Sequence, residues 1–198
     1  PNKIKASAGF DALAQALESL ISMKSNEKSV EYASKSLKIS INSFLSFLNN
    51  PTFKNASEMS IASNLAGKAI SISKTTAPHA VSYPFTAHFD ISHGHAVGLF
   101  FENFFKFNYE NIQKSETKFD LSKRFNLIFD LFDVTNIYNF NTKISQIKKK
   151  AKLEDDLKKI KINIKKNSEK IISGINFLRL GNNPIKINEK DVLNIITN

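Results

Sequence analysis

Apolar residues recur in steps of three and four along most of this chain, the spacing that places them on one face of a helix. Three such stripes predict helices over residues 10–21, 27–48 and 55–72. We find no segment that alternates apolar and polar residues between hairpin turns, as a half-buried strand would. The sequence therefore predicts an all-α fold without internal repeats, in a single domain over residues 1–198.

Capping and helix-breaking residues predict where individual helices begin and end. Asn55 and Glu58 have the spacing of a capping box, which would open the third helix at Asn55. Asn188 and Asp191 have the same spacing before a final short helix. Further helices are predicted over 97–107, 121–132, 142–150, 152–166 and 168–178.

Composition limits the classes of protein that this chain can belong to. It contains no Cys, which excludes a disulfide scaffold and thiolate ligation of zinc and fits a reducing cytoplasm. The apolar runs are shorter than the roughly 20 residues that span a bilayer, so we expect a soluble protein with no membrane partner. The chain opens without Met and without a signal peptide, as a fragment of something longer would.

The formal net charge of +10 raises the question of a nucleic-acid partner. Lys supplies nearly all of the positive side chains, since the only arginines are Arg124 and Arg179. Base readout favours Arg, and the abundance of Lys, Asn, Ile and Phe is typical of AT-rich coding. We therefore expect no nucleic-acid partner.

All four histidines lie within one segment, Thr75 to Val97, where Pro84 and Gly94 are expected to separate two short helices. An oxygen ligand would turn this cluster into a metal site. Asp11 and Gln15 are spaced one turn apart on a polar stripe that continues to Glu18, so the first two can present oxygens to one point. A solvated polar face is the alternative interpretation of that stripe.

Two absences restrict the chemistry further. The sequence contains neither GxGxxG nor GxxxxGK[ST], so it carries no recognisable nucleotide-binding loop. It also singles out no Ser/His/Asp or Cys/His arrangement for nucleophilic catalysis.

Four segments together resemble a known family. They are GFDALAQALES at 9–19, MSIASNLAGKAIS at 59–71, TTAPHAVSYPFTAHFDISHGHAV at 75–97 and NNPIKINEKDVLNII at 182–196. In this order they resemble the helical C-terminal domain of the iron-containing (group III) alcohol dehydrogenases, which shares its fold with dehydroquinate synthase. The resemblance implies a metal-binding domain that lacks the N-terminal Rossmann-like domain of that family. NAD(P)H would then bind through that missing domain.

The resemblance also implies a ligand set. The family holds its metal, Fe²⁺ or Zn²⁺ here, with an Asp and a His one helical turn apart and two further histidines fourteen residues apart. The corresponding residues are Asp11, Gln15 in place of the usual His, His79 and His93. Tyr83 replaces a family His near the nicotinamide and would relay a proton or form a pocket wall. The resemblance places His88 and His95 outside the ligand set.

Gln15 and Tyr83 make the chain similar to the phosphonoacetaldehyde reductase subgroup. The implied function is reduction of a small aldehyde, phosphonoacetaldehyde or a similar one, with the metal as Lewis acid. Lys68 and Lys74 are candidate phosphonate-binding residues, with simple surface lysines as the alternative interpretation. Alone, the chain is expected to show little or no turnover, and Gln15 is expected to weaken metal retention. A homodimer is an open alternative.

Two other hypotheses remain at this point. A related metal enzyme, of the dehydroquinate synthase or glycerol-1-phosphate dehydrogenase type, would keep the fold and change the reaction. A non-catalytic helical binding module would instead use a basic surface against an acidic partner. That surface consists of Lys148, Lys149, Lys150, Lys158, Lys159, Lys161, Lys165 and Lys166.

Overall fold

The structure, a computed structural model, describes residues 2–197, and within them the chain is helical with no strand. Two short 3₁₀ helices, Ile112–Lys114 and Lys165–Asn167, accompany the α-helices. The α-helices are α1 Asn2–Ile21, α2 Glu27–Asn49, α3 Phe53–Ser73, α4 Ala77–His88, α5 His93–Gly98, α6 Phe101–Glu110, α7 Leu121–Phe132, α8 Ile137–Lys150, α9 Ser168–Ser173, α10 Phe177–Leu180 and α11 Glu189–Thr197. The predicted all-α class is confirmed.

Helix α1 runs through the centre of the main core and packs against α2, α3 and α5. Its apolar residues Phe10, Leu13 and Leu17 have at most 1% of their surface exposed. Burying each of these side chains contributes about 1.5–3 kcal/mol relative to leaving it in water. Because α1 is enclosed on several sides, Glu18 is fully buried, and Asp11 and Gln15 are only partly exposed.

Helix α5 approaches α1 closely because residue 94 is glycine. A Cβ atom at Gly94 would lie 2.0 Å from the carbonyl oxygen of Ser7 and 2.9 Å from the Cβ of Asp11. Any larger residue would push the two helices apart. The predicted break at Gly94 is wrong, since Gly94 lies within α5. Pro84 likewise lies inside α4, which continues to His88.

A second core packs α4 against α9, α10, α11 and part of α6. Helix α6 contributes to both cores: Phe101 and Phe105 lie in the main one, and Phe104 in the second. All three rings are fully buried. This agrees with the interpretation of the Phe-rich run as core rather than as a membrane-binding face. None of the helices within residues 2–197 combines the length and apolar character that crossing a bilayer requires.

Several predicted helix ends are shifted in the structure. Helix α3 is capped by Thr52, whose hydroxyl accepts from the Asn55 amide at 3.3 Å, while Asn55 Oδ1 accepts from the Thr52 amide at 2.7 Å. Asn55 is therefore the third residue of the helix rather than its cap. The predicted cap of α11 is confirmed, because Asn188 and Asp191 exchange side-chain hydrogen bonds of 2.9 and 3.0 Å.

The predicted helices differ most from the structure between α8 and α10. The helix predicted over 152–166 is a series of turns, in which Lys152 and Lys161 adopt φ values of 57° and 59° that no right-handed helix contains. The helix predicted over 168–178 is divided into α9 and α10 near Gly174. A Cβ at Gly174 would lie 2.8 Å from the Pro84 Cβ, so this turn packs tightly against α4.

Candidate metal centre

Three side chains from three helices converge where α1, α4 and α5 meet. Asp11 Oδ1 lies 3.1 Å from His79 Nε2 and 3.7 Å from His93 Nε2. One potential ligand atom from each residue lies within 4.8 Å of the other two. His79 is buried with 2% of its side chain exposed, whereas His93 retains 40%, so the cluster opens to solvent on one side.

Gln15 lies beside this cluster, one helical turn from Asp11. Its Nε2 donates a hydrogen bond of 2.8 Å to Asp11 Oδ2. In this arrangement the amide nitrogen faces the carboxylate, whereas metal ligation by Gln15 would use the amide oxygen. Its role as a ligand stays a prediction, and its contact with Asp11 fixes the orientation of that carboxylate.

Glu18 holds His79 from the side opposite Asp11. His79 Nδ1 donates to Glu18 Oε1 at 2.5 Å, and the other carboxylate oxygen accepts from the amide and hydroxyl of Thr76 at 2.6 and 2.9 Å. A carboxylate on one imidazole nitrogen orients the ring and directs the other nitrogen at a metal. We did not predict this role for Glu18, although its place on the stripe of Asp11 and Gln15 was a signal for it.

The charges around the two imidazoles affect them differently. Burial by itself would lower the pKa of His79, but the charge of Glu18 and hydrogen bonds to Asp11 and Glu18 outweigh it and raise the pKa to about 9. The pKa of His93 is lowered, first by burial and then by the neighbouring His79 and Arg179, against the opposing charge of Asp11. A cation bound between Asp11 and the two rings would take the place of the His79 Nε2 proton.

The other predicted residues take distinct places. The Tyr83 ring lies 5.9 Å from the His93 ring, so it forms one side of the cluster. His88 is exposed at the end of α4. His95 points elsewhere, with its Nε2 2.6 Å from the carbonyl oxygen of Glu154. Placing His88 and His95 outside the ligand set agrees with these positions.

The two lysines considered for phosphonate binding are exposed. Lys68 Nζ lies 5.9 Å from the centre of the Tyr32 ring on α2. Lys74 Nζ donates to the carbonyl oxygen of Ser71 at 3.0 Å. Arg179 is instead the cation next to the cluster, with its guanidinium carbon 5.6 Å from the centre of the Tyr83 ring. Sequence reasoning missed Arg179 because only the fold brings α10 against α4.

The donor set fits a divalent transition metal. One carboxylate oxygen and two imidazole nitrogens, with an amide alongside and no sulfur, match the ligands of Fe²⁺ and Zn²⁺. Three protein ligands on a cluster that is open on one side are typical of a catalytic site, which keeps a coordination position for substrate. A closed structural site would surround the ion with protein on all sides.

Comparison with known proteins then decides the family. The model of the Fe-containing alcohol dehydrogenase family, C-terminal, matches residues 5–198. The chain belongs to the iron-containing alcohol dehydrogenase family. Membership in it favours the oxidoreductase hypothesis over the dehydroquinate synthase type and over the non-catalytic module.

Individual members of this family are distant relatives. Over 126 residues the chain is 29% identical to a 4-hydroxybutyrate dehydrogenase of Clostridium kluyveri, covering 62% of this chain and 34% of that protein. Over 102 residues it is 26% identical to a phosphonoacetaldehyde reductase of Streptomyces viridochromogenes, covering 50% and 26%. A sulfoacetaldehyde reductase of Bifidobacterium kashiwanohense, solved with NAD⁺, superimposes with a TM-score of 0.86 at 23% identity. That match covers 100% of this chain and 50% of the reductase, so the chain spans about half the length of that protein.

Proposed function

We propose that this chain is the metal-holding part of an NAD(P)-dependent aldehyde reductase of the iron-containing alcohol dehydrogenase family. The single observation that supports this best is the convergence of Asp11, His79 and His93 with their ligand atoms within 4.8 Å of one another. These three would hold Fe²⁺ or Zn²⁺, with Gln15 as a fourth, weaker ligand.

The chain's own residues prepare the site. When bound, the ion supplies Lewis-acid polarisation of a carbonyl or alcohol oxygen. Glu18 keeps the Nδ1 proton of His79, so that the Nε2 lone pair faces the cluster. Gln15 restrains Asp11 through a 2.8 Å hydrogen bond. Tyr83, against His93, walls the pocket or relays a proton; its proximity supports both roles.

The hydride would come from NAD(P)H held by a nucleotide-binding domain elsewhere in the full-length protein. Two facts support this arrangement. The sequence carries no recognisable nucleotide-binding loop, and the chain accounts for half of the reductase solved with NAD⁺. By itself the chain is expected to turn over little or no substrate. We propose the cytoplasm as its compartment, on the absence of Cys, and leave a homodimer as an alternative.

The proposed substrate is a small aldehyde such as phosphonoacetaldehyde, or the corresponding alcohol. The names of three relatives support this, since they specify 4-hydroxybutyrate, phosphonoacetaldehyde and sulfoacetaldehyde. Each of these molecules is short and carries an acidic group at the end away from the reacting carbon.

Metal titration of the chain tests the proposed site. Fe²⁺, under anaerobic conditions, and Zn²⁺ would be titrated into wild-type protein and into the double variant Asp11→Ala/His93→Ala by calorimetry. We expect one ion per chain in the wild type and an affinity lower by more than about 100-fold in the double variant, because two ligands are lost.

His88→Ala is the matched control, since His88 lies in the same segment but is exposed and outside the cluster. It should bind metal as the wild type does. Equal affinity in the wild type and the double variant would refute the proposed metal centre.

A further inference from the structure

Among the described residues, 2–197, Arg179 is a half-buried cation without a counter-charge. Within residues 2–197, no carboxylate oxygen lies within 4.0 Å of its guanidinium. In the same part of the chain, its side chain makes one hydrogen bond, from Nη1 to the Thr75 hydroxyl at 2.8 Å. A guanidinium carries five N–H donors, so most of them remain available to a ligand.

The position of Arg179 is fixed by backbone contacts. It lies on α10, where Asn176 Oδ1 accepts from the Arg179 amide at 3.0 Å. The Asn176 amide in turn donates to the carbonyl oxygen of Ala80 on α4 at 3.1 Å. These bonds tie the short helix to the element that carries His79. The backbone of Arg179 is therefore held in place, and the hydrogen bond to Thr75 restrains the guanidinium, which reduces the entropy lost when it binds a partner.

The Tyr83 ring lies close both to Arg179 and to His93 of the proposed metal cluster. The guanidinium carbon lies 5.6 Å from the centre of that ring, and the His93 ring lies 5.9 Å from the same ring. When the reacting oxygen of a substrate lies at the cluster, the other end of that substrate reaches Arg179 if its carbon skeleton is long enough to extend past the Tyr83 ring. The spacing thus suits a short molecule with functional groups at both ends.

The space beside Arg179 is also positively charged. Arg179 lines a cavity of about 530 Å³, and none of the residues that line it is acidic. Lys24 and Lys74 line the same cavity. With no carboxylate among them, the summed potential of these cations attracts an anion.

We infer that Arg179 binds the terminal oxyanion of the substrate and selects acidic aldehydes and alcohols over neutral ones. The inference rests on the proposed function, because the reacting end of the same substrate would lie at the proposed metal centre. The planar guanidinium matches the paired oxygens of a phosphonate, sulfonate or carboxylate. Arg179 is thus a specificity-determining residue, and binding of the oxyanion at one end fixes where the reacting carbon lies.

Calorimetric titration of the zinc-loaded chain tests this. The probes are 2-hydroxyethylphosphonate, 2-hydroxyethanesulfonate and 3-hydroxypropionate, with neutral propan-1-ol as the control ligand. We expect Arg179→Gln to weaken binding of the acidic probes by about 10- to 100-fold and to leave propan-1-ol unchanged, because a hydrogen-bonded charge pair is lost. Arg179→Lys should retain part of the affinity, since it keeps the charge and loses the paired geometry. The order of the three acids identifies the preferred oxyanion.

Arg124→Gln is the matched control, because Arg124 is the other arginine and also lies over an aromatic ring, 4.6 Å from the centre of Phe119. It should bind every probe as the wild type does. Equal binding of acids by wild type and Arg179→Gln would overturn the inference, and so would an equal loss of acids and propan-1-ol.

Zinc affinity measured on each variant separates the two proposals. If the wild type fails to bind zinc, the proposed metal centre fails. Binding of methylphosphonate to the metal-free chain then tests Arg179 by itself, with Arg179-dependent affinity supporting the inference and equal affinity in Arg179→Gln overturning it. If zinc binds normally in both proteins and acid binding is unaffected by Arg179→Gln, only the inference about Arg179 fails.

Discussion

Two ionic clusters lie at opposite ends of helix α5, and they differ in how completely their groups are paired. The Lys148 cluster is closed: Lys148 is 3% exposed, and its Nζ lies 2.7 Å from Glu102, 2.7 Å from Asp155 and 2.9 Å from the Gly98 carbonyl oxygen. The proposed metal cluster of Asp11, His79 and His93 is open. There, one carboxylate oxygen faces two imidazoles, and one of these keeps 40% of its side chain exposed.

This difference in pairing distinguishes a cluster that stabilises the fold from a cluster that is able to bind a ligand. In the Lys148 cluster, all three ammonium donors have acceptors, so none is left for a ligand. The ion pairs join α8 to Glu102 on α6 and to Asp155, and the hydrogen bond to Gly98 joins α8 to the C-terminal end of α5. Burial raises the pKa of Glu102 while Lys148 opposes this, which shows how far that carboxyl depends on its partner. The metal cluster retains ligand atoms directed at one point. Partial pairing at an accessible position therefore identifies the site at which a ligand is expected.

The largest effect is expected from breaking the closed cluster. Lys148→Ala would leave the buried Glu102 without its cation and should lower the free energy of unfolding by about 3–5 kcal/mol. Urea unfolding followed by circular dichroism measures this. Lys149→Ala, on the exposed side of the same helix, is the control and should change stability little. A small loss in Lys148→Ala would mean that the ion pair is no more than a surface contact.

A smaller effect should follow from moving α5 as a whole. Gly94→Ala places a methyl group against the Ser7 carbonyl oxygen, and we expect a loss of about 1–3 kcal/mol in stability together with weaker metal binding as His93 moves. Urea unfolding and zinc titration measure the two effects. Gly67→Ala, where no atom lies within 4 Å of the added Cβ, should instead be neutral or stabilise α3 by up to about 1 kcal/mol. Equal behaviour of the two variants would contradict the close approach of α5 to α1.

Glu18→Gln tests how the open cluster is supported. The variant keeps the size of the side chain but removes the charge that orients His79, so zinc affinity should fall by about 10- to 100-fold. Calorimetric titration measures the change. Glu58→Gln, which alters a carboxylate that accepts a hydrogen bond from Ser43 and lies outside the cluster, should have no effect on zinc. Unchanged zinc affinity in Glu18→Gln would show that His79 needs no carboxylate to hold its orientation.

The smallest effect is expected at Gln15. Gln15→His replaces the proposed weak amide ligand with imidazole and should raise metal affinity by about tenfold, which is the difference of one good ligand contact. Competition with a chelator measures it. His88→Gln is a suitable control, because it exchanges the same two residue types in the opposite direction at an exposed position. A decrease in affinity would indicate that the hydrogen bond from Gln15 to Asp11 matters more than ligation.

Much of the fold could be predicted from the local pattern of apolar and capping residues. The spacing of apolar residues predicts α7 over 121–132 with its observed bounds, and predicts α2 to within one residue. The reciprocal cap of Asn188 and Asp191 was also predicted correctly. The prediction failed in the lysine-rich segments. Pattern placed Lys148 on a basic surface and residues 152–166 in a helix, because a long charged side chain and a good helix former carry no local sign of burial or of a turn.

The sequence by itself determined the helical class, the family resemblance and the placement of Asp11 and Gln15 one turn apart on the same helix, since these depend on short stretches of the chain. Tertiary structure alone decided that Glu18 holds His79, 61 residues away, and that Arg179 reaches Thr75, 104 residues away. It also decided that Lys148 is buried. Such contacts depend on how helices pack, and packing is set by the whole core rather than by any segment of it.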